Sequence, residues 1–106
     1  MTKINIYEYR KDGSKVFSGR PVGVEARKKE KLNEKDYDGE SYLIIIPDDT
    51  YSINGSFFGG MFSDSVINLG EEKFRDKYKF QFANGELDDN IRNDIEEGIY
   101  DAINDL

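Results

Sequence analysis

The chain has 106 residues, a net charge of −7, and 37% hydrophobic against 35% charged residues, the size of a single domain spanning residues 1–106. Neither cysteine nor histidine occurs, which excludes disulfides, thiolate metal sites, Ser–His triads and the commonest general base. No apolar stretch nears the roughly 20 residues of a membrane span, and the opening MTKINIYEYR is too polar for a signal peptide, so a soluble cytoplasmic protein without membrane contact is expected.

Residues 3–9 alternate, with Ile4 and Ile6 on one side, and run into the turn signal Lys11-Asp12-Gly13-Ser14. Val16 and Phe17 follow, so the opening reads as a β-hairpin. Pro21 suits the first turn of a helix, and Val22, Val24, Ala26 and Leu32 give that helix a narrow apolar face to about Asn33. Within it, the basic run 27–31 reads as a solvated face. Residues 34–40 form a linker containing the turn Asp36-Tyr37-Asp38-Gly39.

Residues 42–46, YLIII, are continuously apolar and stop at Pro47. Such a run reads as a central strand covered on both faces, with parallel neighbours. Residues 56–69 form a helix with Phe58, Met61, Phe62, Val66 and Leu69 on one face, interrupted by Ser65, and Gly70 stands where a C-terminal cap belongs. Tyr78, Phe80 and Phe82 alternate with Lys79 and Gln81 as a strand, ended by Asn84-Gly85. Asp88 or Asp89 caps a last helix whose Ile91, Ile95, Ile99, Ala102, Ile103 and Leu106 keep helical spacing. The order β-β-α-β-α-β-α predicts an α/β fold with a small mixed four-stranded sheet packed with three helices.

All the excess negative charge falls on residues 86–106, where Arg92 is the only basic residue; residues 1–85 balance. This disfavours nucleic-acid phosphates as a partner and suits a basic protein surface. The carboxylates Asp48-Asp49 lack the glycine and glutamate register of a calcium loop and read as solvated turn residues, so no metal is expected. No P-loop or dinucleotide glycine motif is present, and no cofactor is expected.

The sequence around position 56 carries the most chemistry. A buried strand passes through a polar loop to Ser56 at a helix N-terminus, where backbone N–H groups and the helix dipole favour negative charge. Ser56 reads as the helix N-cap, and the same hydroxyl is a candidate phospho-acceptor. Gly59-Gly60 allow close approach of another backbone or close packing of the helix on its sheet.

The strand INIYEY, the run Phe17-Ser18-Gly19-Arg20, and the block SINGSFFGGMFSDSVINLG followed by FRDKYKFQFANG resemble, in order and spacing, the STAS-like family. These small bacterial proteins are related to the STAS domains of anti-sigma-factor antagonists. The resemblance implies a signalling domain of unknown function that binds protein and is not an enzyme. Its partner would be a histidine-kinase-like ATPase or another regulatory protein in a partner-switching circuit. Laid on the antagonists' Asp-Ser-Ser-Gly loop, Asn54 falls at the Asp, Gly55 at the first Ser, Ser56 at the acceptor and Phe57 at the Gly. The implied contact surface is Tyr51, Ser52, Asn54, Gly55, Ser56 and Phe57. An alternative is an acidic decoy, in which the last helix mimics nucleic-acid phosphates to block a basic groove; charge reversal at Asp94, Glu97 and Asp101 would then abolish activity.

Overall fold

In the computed structural model, residues 1–11 and 13–104 are described. Asp12 of the predicted first turn and Leu106 of the last apolar stripe lie outside them. In chain order the elements are β1 (Thr2–Asn5), a 3-10 turn (Tyr7–Tyr9), β2 (Val16–Phe17), α1 (Arg20–Lys29), α2 (Leu32–Lys35), β3 (Tyr42–Ile46), β4 (Ser52–Ile53), α3 (Gly55–Leu69), α4 (Glu71–Lys77), β5 (Tyr78–Phe82) and α5 (Asp89–Asn104). The α/β class and the main strands and helices follow the sequence pattern. None of the described helices is long and apolar enough to cross a membrane.

The sheet differs from the expected one. Among the described residues, the strands form a three-stranded sheet, β1-β3-β5, and a two-stranded one, β2-β4, parallel throughout. The opening is therefore not a hairpin. After Ile6 the chain leaves the sheet in the 3-10 turn, whose Tyr9 is buried and donates its hydroxyl to Glu30. β2 then pairs with β4, not with β1. The succession strand, short strand, helix, short helix occurs twice, over residues 2–35 and 42–77, before β5 and α5 finish the chain.

Among the described residues there are five helices where three were expected. The predicted first helix breaks at Lys31, a non-glycine residue in the left-handed region (φ 57°), so α2 turns away from α1. The short α4, whose one core side chain is Phe74, carries too little apolar pattern to be seen in the sequence. Gly70 joins α3 to α4 at φ 83°, where a side chain would be strained.

Nor is β3 covered by helices on both faces. Tyr42, Ile44 and Ile46, with Ile4, Tyr78, Phe80 and Phe82, face the helical layer, where the Phe80 ring lies 5.3 Å from Phe62 and 6.2 Å from Phe58. The opposite face bears Lys3, Asn5, Leu43, Ile45, Lys79 and Gln81, of which Lys3, Asn5 and Lys79 are exposed. On this face Ile45 is buried and Leu43 half-buried, so the run is apolar on both sides of the strand.

α3 packs against α1 and α5. A buried polar cluster fastens it on the α1 side. The Arg27 guanidinium donates to Asp36 Oδ2 (2.9 Å), Ser65 Oγ (2.7 Å), the Met61 carbonyl (2.9 Å) and Asn33 Oδ1 (2.9 Å). Ser65 and Tyr78 each donate to Asp36 Oδ1 at 2.7 Å. Arg27 is 5% exposed and Asp36 3%. Arg27 is thus no solvated face residue, and Ser65 interrupts the apolar stripe because it belongs to this cluster.

Candidate functional site

The main chain leading from β4 into α3 is held at three amides. Tyr51 N–H donates to the Lys15 carbonyl (2.7 Å), Asn54 N–H to the Phe17 carbonyl (2.8 Å), and Ile53 N–H to Asp94 Oδ2 on α5 (2.9 Å). The N-cap is Asn54, not Ser56. Asn54 is extended (φ −68°, ψ 142°), and its Oδ1 accepts the Ser56 N–H at 2.9 Å and the Ser56 hydroxyl at 2.8 Å. An amide two residues before the second helical N–H reaches it directly, so Ser56 donates to the cap instead of forming it.

The predicted contact residues separate by exposure. Tyr51 is 72% exposed. Asn54 and Gly55 are exposed, and Ser52 and Ser56 half-buried. Phe57 is 1% exposed, its ring 5.1 Å from that of Phe17, so it supports the loop from beneath.

From Ser56 a groove of about 460 Å³ runs between α3 and α5, floored by Gly55, Gly59 and Ser63 with Gly98 and Ala102 opposite. Arg20 and Asp101 stand on its rim. The Arg20 guanidinium rests over Gly59, where a Cβ would lie 2.9 Å from Arg20 Nη2. Arg20 makes no ion pair among the described residues. The paired glycines serve different ends: Gly59 seats this cation, whereas Gly60 packs backbone to backbone on α1, not on the sheet. A Cβ at Gly60 would meet the Arg20 carbonyl at 2.4 Å, and one at Gly23 the Phe57 carbonyl at 2.2 Å.

Ser56 Oγ has no base beside it: its hydroxyl proton lies on an amide oxygen. Asp48 accepts from the Asn84 N–H (2.8 Å) and Asp49 from Arg10 (2.8 Å), so both carboxylates fix turns. The hydrogen bond from Arg10 holds Asp49 below the usual carboxylate range. Among the described residues no three acidic side chains converge as a metal site would need. Asp94, first read only as part of an acidic face, holds β4; nothing in local sequence marks an aspartate as the acceptor for a strand 41 residues away. No protein-family model, curated protein or solved structure matches this chain.

Proposed function

We propose that the chain is a non-enzymatic, STAS-like protein-binding domain whose contact surface is the rim of residues 51–56 and the first turns of α3. The observation that carries this reading is Tyr51. A large aromatic side chain stands 72% exposed on a backbone hydrogen-bonded to Lys15, with Ile53 and Asn54 pinned just beyond it. An aromatic on a rigid support loses little freedom when a partner covers it, the usual character of an interface anchor.

Ser56 and Arg20 supply polarity beside the anchor. A phosphoryl group on Ser56 would meet the α3 N-terminus and could be reached by Arg20, so partner switching by a kinase-like ATPase fits the local electrostatics. The Ser56 hydroxyl is engaged with Asn54, which favours Ser56 as part of the docking surface.

The test is capture from the native host by immobilised wild-type, Tyr51→Ala and Glu97→Lys proteins, with bound proteins identified by mass spectrometry. A specific partner lost with Tyr51→Ala and kept with Glu97→Lys supports the rim. The reverse pattern supports the acidic decoy, because Glu97 is exposed on α5 and bonded to nothing described. Reversal at Asp94 would not discriminate, since it also releases β4.

A further inference from the structure

We propose that the cleft beside Arg10 is a binding site for a small phosphate monoester. The Arg10 side chain is only 7% exposed, and two acceptors fix it in place: Nη1 donates to Asp49 Oδ1 at 2.8 Å and to Thr50 Oγ1 at 3.2 Å. Its guanidinium carbon lies 5.3 Å from the centre of the Tyr7 ring and 6.0 Å from that of Phe17. The Nε–H has no acceptor. Among the described residues it is the one buried side-chain nitrogen or oxygen without a hydrogen bond.

An unpaired buried donor is costly and rare, and an ion that belongs beside it is one of its ordinary explanations. Nη2 likewise meets no acceptor among the described residues. Nε and Nη2 make one edge of the planar fork, whose two parallel N–H groups match two oxygens of a phosphoryl group or carboxylate.

The charge around the cleft selects between those two. Its walls include Tyr7, Glu8, Lys11, Lys15 and Asp49. Both acids already have partners, Asp49 in Arg10 and Glu8 in Lys29 at 2.7 Å. Lys11 and Lys15 make no ion pair among the described residues, in a chain whose net charge is −7. A phosphate monoester brings close to two negative charges for those two lysines, and a carboxylate brings one. The cleft holds about 470 Å³, within the usual range for small-molecule sites and more than a bare phosphate fills. Tyr7 is 62% exposed and offers the organic part of the ester an aromatic wall. Tyr7, Lys11 and Lys15 are all exposed, so their side chains can shift to open the Nε edge and then close over the ester. None of residues 51–56 lines the cleft, so this site stands or falls apart from the docking rim.

The experiment is an NMR titration of the isotope-labelled protein with phenyl phosphate, with benzoate, and with an otherwise uncharged phosphoserine peptide. The expected result is saturable shifts at Tyr7, Arg10, Lys11, Lys15 and Asp49 with phenyl phosphate, and binding of benzoate about tenfold weaker. Arg10→Lys, which keeps the charge but loses the fork, and the double variant Lys11→Gln/Lys15→Gln should each weaken phenyl phosphate about tenfold. The two lysines are exposed and unpaired, so the double variant keeps its fold, checked by circular dichroism, and decides the matter even where Arg10→Lys unfolds. No saturable binding, benzoate bound as tightly, unchanged affinity of the double variant, or shifts centred on Ser56 and Arg20 would overturn the proposal. So would a phosphoserine peptide that binds more tightly than phenyl phosphate with shifts spreading over residues 51–56, because the occupant would then be a phosphorylated protein segment.

Discussion

At positions 23 and 60, α1 and α3 touch through backbone, and each glycine sits against a carbonyl of the other helix. A methyl group at either place meets main-chain atoms that cannot rotate away, so the helices must part. Gly23→Ala and Gly60→Ala should each destabilise by about 1–3 kcal/mol or more, in spite of alanine's better helix propensity. Gly59→Ala is the internal control. Its Cβ would meet only the mobile end of Arg20, so the propensity gain of about 1 kcal/mol should leave stability level or raised. Urea unfolding midpoints of the three variants check the ranking, and a Gly60→Ala variant as stable as Gly59→Ala would refute the close helix contact.

Among the elements, α1, α2, α3 and β5 meet at Asp36, which accepts from Arg27, Ser65 and Tyr78. Removing the carboxylate strands a buried guanidinium, whereas removing the Ser65 hydroxyl takes away one donor among several. Asp36→Ala should therefore cost about 3–5 kcal/mol and Ser65→Ala about 1 kcal/mol, measured by denaturant unfolding. Similar costs for the two would show that the ion pair is not the organising contact. These residues also mark the limit of what the sequence disclosed. β3, β5, α3 and α5 were legible because apolar periodicity is a local property. The Arg27 cluster was not, because a buried arginine is recognised by partners scattered over residues 33–65. The pairing of β1 with β3 was hidden likewise, since a nearby turn signal suggests a hairpin whichever strand is the true neighbour. At the candidate site, the loop and helix start were readable, and the capping residue was misplaced by two positions. Asn54 and Ser56 both suit a cap, and only the backbone angle at Asn54 decides between them.

For the whole molecule, the titrating groups divide into two sets with opposite signs. Burial acts to raise the Asp38 carboxyl, but hydrogen bonds from Tyr42, Lys77 and the Glu40 N–H outweigh it and bring it to about 2. Arg10 lowers Asp49, and Arg75 lowers Glu96. These carboxylates hold protons less well folded than unfolded, so their stabilisation is complete above about pH 5 and is lost as pH falls toward about 2. The tyrosines act in the other direction. Burial, reinforced by hydrogen bonds to Glu30 and Asp36, raises Tyr9 and Tyr78 above the ordinary tyrosine range. Its hydrogen bond to Asp38 pushes Tyr42 up to about 12. Their contribution is full below the unfolded value of about 10 and declines as pH rises beyond it. With no histidine in the chain, no side chain of ordinary pKa titrates between the two sets. Unfolding free energy, followed in urea by the near-ultraviolet dichroism of the tyrosines, should therefore be level from about pH 5 to about pH 9 and fall on both sides. The Asp38→Asn variant should show a shallower acid limb and an alkaline limb that loses only the Tyr42 share, since Tyr9 and Tyr78 are bonded to Glu30 and Asp36. A stability transition near neutral pH, or an acid limb unchanged in that variant, would contradict the assignment of these groups. The plateau requires that the carboxylate bonds and the tyrosine bonds both be intact in the same folded state; Asp38 and Tyr42, two ends of one hydrogen bond, contribute one to each limb, beside Asp49 and Glu96 on the acid side and Tyr9 and Tyr78 on the alkaline side.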